Sequence, residues 1–306
     1  MTTYHKVVKL RDLQDYMAYS AGQGLSVHSV YPMRRNVQGD EDNHEILCVM
    51  SDKLLGGGGS ANGGLQAYEY DGSTDYFHGQ RPCVNSSLST TAITVSLWAQ
   101  FLGGDGASQA LFNITHSAGT RFWVAKSTAN YIEGVFRDGG NTTKISDAGV
   151  VSPLTADATW HHIYMSANIA SAGVLDWDFY IDGVDQGAAT TLAVGSIACR
   201  SNLYWGIANN GYNHSAKANA RISEIWAHTG LWMPWATYGA AFYNAGVPVD
   251  LGAGGINPLG GTGPNLVYLP KGGGTFNESA NTDGLSSSPT TLTEVGTPTL
   301  VDGPGV

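Results

Sequence analysis

Asp176, Asp178 and Asp182 fall at even spacing in one short segment, with Tyr180 between the last two. On an extended chain, even spacing puts side chains on one face. Paired carboxylates are the equipment of glycoside hydrolysis, which needs them ~5–5.5 Å apart for retention or ~6.5–9.5 Å for inversion. Tyr180 separates the aspartates and no glutamate joins them, so a solvated acidic face at a hairpin end accounts for the pattern as well. The run Glu41-Asp42-Asn43-His44-Glu45 is the other acidic string, and it lies outside the strand-rich part of the chain. His161 and His162 are adjacent. On a strand their rings point to opposite faces, one inward and one outward, and they share no metal without a third partner. Trp226, Trp232 and Trp235 cluster in sequence with Tyr238 and Tyr243. Exposed rings stack on sugars and dominate protein contacts, whereas buried ones would pack a short helix onto the body. Trp232, Trp235 and Tyr238 are the candidate carbohydrate-binding residues, with Trp232 the first to test for exposure. No residue is assigned a catalytic role.

Other chemistries are excluded by missing patterns. There is no Gly-x-Ser-x-Gly elbow, and the run Gly56–Gly59 is not followed by the Lys-Ser/Thr of a phosphate-binding loop. Cys48, Cys83 and Cys199 are odd in number and isolated, which argues against a disulfide framework or a zinc site and for reduced, buried thiols. Lysine and arginine total 15 against 25 acids, for a net charge of −10. Such a surface disfavours nucleic acid and anionic membranes. No apolar run is long enough for a membrane helix, and the N-terminus does not read as a secretion signal. Synthesis and folding in a reducing cytoplasm follow as the expectation.

The elements that must position these residues are strands. Only 13% of the 306 residues are charged and 41 are glycine, against usual shares of ~25% and ~7%. With 42% hydrophobic residues the chain is neither disordered nor a coiled coil. Ile93, Val95, Leu97, Ala99 and Phe101 alternate with Thr94, Ser96, Trp98 and Gln100, the pattern of a half-buried strand. Strands are likewise predicted over 120–124, 131–136, 160–169, 177–181, 203–207 and 220–226. Asp182-Gly183 is a hairpin signal. Pro234 and Gly246 bracket a predicted short helix over 234–244. Thr291-Leu292-Thr293 and Thr299-Leu300-Val301 alternate, as terminal strands closing the sandwich would, although the Ser/Thr/Pro/Gly-rich stretch from Gly284 also reads as a mobile tail. Residues 1–64 differ in composition. Val7 to Tyr19 reads as a short helix, and Gly56–Ser60 as a linker.

Five motifs in order carry a resemblance. Tyr68-Glu69-Tyr70-Asp71-Gly72-Ser73-Thr74-Asp75-Tyr76, Thr94-Val95-Ser96-Leu97-Trp98, Trp160-His161-His162-Ile163, Phe179-Tyr180-Ile181-Asp182-Gly183 and Ile222-Ser223-Glu224-Ile225-Trp226 resemble the strands of laminin-G-like, concanavalin A-like domains. The run from Phe242 through Val247-Pro248-Val249-Asp250-Leu251-Gly252 to Leu266-Val267-Tyr268-Leu269 is similar to concanavalin A-like structural proteins of tailed bacteriophages, and departs from them at Gly254–Pro258. The resemblance implies a rim calcium site, for which Asp71 and Asp75 are the candidates, with Asp138, Asn141 and Asp147 as a further loop group. Turn formation is the other reading of these residues. The sandwich glucanases carry an E-x-D-x-x-E strand that this chain lacks.

The reading predicts an all-β concanavalin A-like jelly-roll sandwich over residues 65–306, with a short helix, preceded by an N-terminal attachment segment over 1–64. By resemblance it is a non-enzymatic virion structural protein, a capsid decoration or a tail or fibre component. Its expected partners are other virion proteins, further copies of itself and a host-surface glycan, with no cofactor beyond calcium. An adhesin that binds receptor glycan is the alternative, and a glycosidase the third.

Overall fold

The computed structural model describes residues 3–9, 25–32, 45–52, 66–80, 89–116, 119–149, 153–173, 175–198, 204–210, 213–249, 251, 266–268 and 293–304. Two compact units divide the chain, Met1–Gly63 and Gly64–Val306. The first contains β1 (Thr3–Lys9), β2 (Leu25–Pro32) and β3 (Glu45–Asp52), an antiparallel sheet in the order β1-β3-β2. This corrects the start of the helix expected over Val7–Tyr19, at Val7–Lys9. Val7 and Val8 pair with Leu47 and Ile46 of β3, because consecutive β-branched residues favour an extended chain once a partner strand is present. Residues 10–19, the glycine linker, Cys83 and Cys199 lie outside the described residues.

The second unit carries β4 (Gln66–Asp71), β5 (Tyr76–Gln80), β6 (Ser89–Thr90), β7 (Ala92–Phe101), β8 (Gln109–His116), β9 (Gly119–Lys126), β10 (Ile132–Arg137) and β11 (Thr143–Ala148). It continues with β12 (Trp160–Ile169), β13 (Leu175–Ile181), β14 (Val184–Asp185), β15 (Thr191–Leu192), β16 (Ile197–Ala198), β17 (Tyr204–Ile207) and β18 (Asn219–Thr229). After a single helical turn at Trp235–Tyr238 come β19 (Tyr243–Asn244), β20 (Val247–Pro248), β21 (Leu266–Tyr268), β22 (Thr293–Val295) and β23 (Thr299–Asp302). One sheet runs β15-β11-β10-β9-β8-β17-β5-β22. The other runs β14-β13-β12-β7-β18-β4-β23, with β21 also on β18. All of their pairings are antiparallel. They form the predicted sandwich.

The interior follows from period-two alternation. Val95, Leu97, Phe101, Ile163, Met165, Phe179 and Ile222 from the second sheet meet Phe112, Ile114, Phe122, Val124, Phe136 and Ile145 from the first. Burying each such side chain contributes about 1.5–3 kcal/mol. In β18 a bulge between Ser223 and Trp226, with Glu224 at φ 50°, resets the alternation. Ile222 and Ile225 therefore both face the core while Trp226 faces out.

β7 is not the half-buried strand its alternation predicts. Nine consecutive residues from Ile93 to Phe101 are buried, and β12 is buried nearly throughout. The reason lies in residues 231–249 and Leu251, which fold back over the outer face of the second sheet, where Met233, Phe242 and Leu251 join Tyr164 and Trp226 of the sheet in a second apolar cluster. The polar residues of that face hold the main chain of the covering segment. Thr94 donates to the Leu231 carbonyl at 3.0 Å, and the Met233 N–H donates to the Thr94 and Ser166 hydroxyls at 3.1 and 3.0 Å. The Tyr164 hydroxyl donates to the Met233 carbonyl. Hydroxyls that look solvent-facing in the sequence thus satisfy a third layer of backbone.

The helix predicted over 234–244 shrinks to Trp235–Tyr238 and a 3₁₀ turn at Gly239–Ala241. The following residues instead form a hairpin in which Asn244 pairs with Val247. Ala245 and Gly246 sit at φ 48° and 90°, the two-residue turn that antiparallel strands favour. Gly246 therefore turns a hairpin rather than capping a helix. At the C-terminus, β22 pairs with β5 and β23 with β4, so Thr299 and Val301 lie in a strand that completes the sandwich. Residues 284–292 lie outside the described residues.

Candidate functional site

The outer face of the second sheet can be read from its register. Asp185 of β14, Tyr180 of β13, Tyr164 of β12 and Ser96 of β7 form one row across the strands. Asp178, Ser166 and Thr94 form the next. The covering segment protects the β12 and β7 end of these rows and stops at β13. There the indole of Trp235 lies flat on the Tyr180 ring, with centroids 4.6 Å apart and planes 12° from parallel. Both rings are half-buried. Asp178 anchors the arrangement by accepting the Trp235 backbone N–H at 2.8 Å. The stacked pair, Asp178, Asp185 and the half-buried Tyr243 ring make up the candidate site.

The turn beneath it is built from Asp182 and Gly183, at φ 52° and 77°, the hairpin signalled in the sequence. The Asp182 carboxylate accepts the His162 backbone N–H at 2.8 Å and bonds His161 Nδ1 at 2.6 Å, which ties the hairpin to β12. A Cβ on Gly183 would lie 3.1 Å from the Tyr243 ring and 3.8 Å from that of Trp235. Gly183→Ala is expected to cost about 1–2 kcal/mol from the left-handed backbone alone. It should also displace Tyr243, visible as a lower thermal midpoint together with changed tyrosine and tryptophan fluorescence.

Charge is unbalanced here. Burial raises the pKa of Asp178, and the charges of Asp185 and Asp176 raise it further, against the bond from Trp235. Burial and the same Asp185 and Asp178 charges raise that of Tyr180. Beneath the rings, His162 is fully buried, with Nε2 2.8 Å from the Ser96 hydroxyl and its ring stacked 5.3 Å from that of Tyr243. Burial pushes its pKa down to about 3. His161 and His162 do point to opposite faces, but both are buried, because the covering segment encloses the outward one.

The structure separates the three sequence candidates. Trp235 belongs to the stacked pair. Tyr238 packs on the second apolar cluster. Trp232 is half-buried with its indole nitrogen enclosed, and it stands outside the stacked pair. Tyr180, Tyr243 and Asp185 were not among the candidates. The signal for Tyr180 is its place between Asp178 and Asp182 on one face, a position that also reads as a spacer between carboxylates.

Asp71 and Asp75 do come together, at the turn after β4, with their oxygens engaged. Asp71 accepts the N–H groups of Ser73, Thr74 and Asp75 at 2.7–3.0 Å, and the hydroxyls of Ser73 and Thr74. Burial works the other way, but these bonds hold its carboxyl far below the usual range. Asp75 accepts the Thr297 N–H at 2.9 Å and so fastens the β22–β23 turn. Asp138 likewise accepts from Gly140 and Thr142 within its own turn. Asp147 is not in a loop with it. It lies in β11, buried, and accepts the Trp177 indole N–H at 2.7 Å. Turn formation describes Asp71 and Asp138, and among the described residues no group of three or more His, Cys, Asp or Glu is placed to hold a metal. No helix among them is long and apolar enough to cross a membrane.

The second unit is a two-sheet antiparallel sandwich of the laminin-G, concanavalin A-like fold. The family model described as the concanavalin A-like lectin/glucanases superfamily, Laminin_G_3, matches residues 71–230. That is more than half of the chain, and the chain belongs to this family. No curated protein matches it. Among solved structures it is similar to a heptameric SAP-like pentraxin from Limulus polyphemus (11% identity, TM-score 0.39, covering 55% of this chain and 77% of that one). It is also similar to domains LG4-5 of the mouse laminin alpha1 chain (13%, 0.41, 66% and 48%). A third is domain 4 of an extracellular GH43 arabinanase from Geobacillus stearothermophilus, in complex with arabinotriose (13%, 0.38, 67% and 84%). The chain spans about half the length of the laminin chain it matches.

Proposed function

We propose that this chain is a non-enzymatic, glycan-binding structural protein of a tailed-phage virion, with Tyr180 and Trp235 as its sugar platform. The observation that carries the binding role is the flat stacking of these two half-buried rings beside Asp178 and Asp185. An aromatic surface edged by hydrogen-bond acceptors suits the apolar face and peripheral hydroxyls of a sugar ring. A binding rather than hydrolytic role is supported by Asp178, whose carboxylate holds the Trp235 backbone. Placement in a virion rests on the similarity of the Phe242–Leu269 run to phage structural proteins. Part of that run forms the β19–β20 hairpin and the buried Leu251 of the second cluster. In that setting other virion proteins and further copies of the chain are its partners, and the glycan is one on the host surface.

Binding is tested by titrating the protein against host surface polysaccharide and neutral oligosaccharides. Trp235→Ala and Tyr180→Ala should each weaken binding about tenfold or more, while no reducing ends are released. Wild-type affinity in both variants, or steady release of reducing ends, would overturn the respective half of the reading. Mass spectrometry of purified phage particles tests the location.

A further inference from the structure

The charge around the stacked pair says which sugars fit it. Asp178 shares the outer face of β13 with Tyr180, Asp185 lies directly across from Tyr180 in the register, and Asp176 is two residues beyond Asp178 on the same face. Burial first, and then the charges of Asp185 and Asp176, raise the pKa of Asp178. Each described lysine and arginine side chain is engaged elsewhere. Lys126 bonds Asp105, Lys144 pairs with Asp138, Arg221 with Glu69, Lys217 donates to the Ser73 carbonyl, and Arg137 to Asn141. His161, the nearest imidazole to the turn, faces inward and is held by Asp182. A carboxylate or sulfate brought to the Tyr180–Trp235 rings would meet several like charges and no described counter-charge. A protonated amine there would meet the reverse.

We propose that the Tyr180–Trp235 platform is selective for saccharides without acidic groups and binds amine-bearing saccharides most tightly. The selection rests on the binding role proposed above, and Asp178 and Asp185 set it. Asp185 is exposed, with Oδ1 accepting the Gly187 N–H at 2.8 Å, while Asp178 accepts the Trp235 N–H through Oδ2.

The test uses three oligosaccharides of equal length in calorimetric titrations of the full chain at about pH 6: glucosamine, N-acetylglucosamine and galacturonate oligomers. The first two share a backbone and differ in charge. The expected order is glucosamine, then N-acetylglucosamine, then galacturonate, with about tenfold between the extremes at low salt and a narrower spread at high salt. Asp185→Asn should compress the order, lowering the ratio of glucosamine to galacturonate affinity. Trp235→Ala should remove binding of all three. If none of the oligomers binds the wild type, the sugar-binding reading itself falls. If galacturonate binds as well as the others, that reading stands and the selectivity is wrong. A preference for glucosamine that persists in Trp235→Ala would come from the net charge of the whole chain and would also overturn the assignment.

Discussion

Acidification from about pH 7 to pH 4 should destabilise the sandwich strongly, and His162 should be the main cause. Its imidazole is fully buried among Trp98, Tyr164, Trp235 and Tyr243, and its pKa lies at about 3 instead of 6.5. The unfolded chain therefore takes up a proton first as pH falls. The neutral form's contribution is complete above pH 6.5, is lost between 6.5 and about 3, and stays lost below. A shift of this size corresponds to on the order of 5 kcal/mol. His78 and His214, also lowered by burial, act in the same direction but are partly exposed and contribute less. Asp147 and Asp178 work oppositely, because their raised pKa values favour the folded form once protonated. Asp71, Asp105 and Asp138, held low, matter only below the ordinary carboxylate range. Urea midpoints measured across this range should fall steeply for the wild type and much less for His162→Gln. An unchanged slope in the variant would remove His162 from the account.

Trp226→Ala should cost about 3–5 kcal/mol, the range for emptying a fully buried tryptophan site. In a chain of this size that lowers the thermal midpoint by about 10 °C. The indole is at the centre of the outer cluster, with Phe242 edge-on at 5.0 Å and Met233 and Leu251 around it. The inner core does not depend on it. The loss should therefore be felt first where the covering segment meets the sheet, as protease cutting within residues 231–249 before the rest of the chain is attacked. Trp226→Phe, which keeps an aromatic ring there, should recover a good part of both effects. Uniform cutting along the chain would mean that cover and sandwich open as one unit.

The strands of this domain were readable because inward residues alternate over long stretches, as in β7, β12 and β13. What alternation could not convey is the state of the other face. Thr94, Ser96 and Ser166 have the polarity of solvent-facing residues, yet all three are interior: the main chain of Leu231 and Met233 bonds Thr94 and Ser166, and buried His162 bonds Ser96. The same limit applies to the site. Trp235 was identified from its residue type, but its stacking partner lies 55 positions earlier in the numbering. Bringing them together depends on the β12–β13 register and the bond from Asp178, neither of which leaves a local pattern. The helix was overestimated because proline and glycine mark ends without saying what lies between them. Asp71 was ambiguous for a related reason, since a carboxylate that folds a turn and one that ligates calcium occupy the same kind of loop.

The position of β4 and β5 has a consequence for how the domain is made. Each sits between strands contributed by the far end of the chain, β4 between β18 and β23, and β5 between β17 and β22. Arg221 reaches back 152 residues to Glu69, and Thr297 reaches 222 residues to Asp75. The first strands of the sandwich to leave the ribosome are thus among the last to gain both neighbours. At about 5–20 residues per second, their edges stay open for tens of seconds of translation. Chaperone dependence during synthesis, and folding yields that improve when translation is fast, are the cellular signature of that topology.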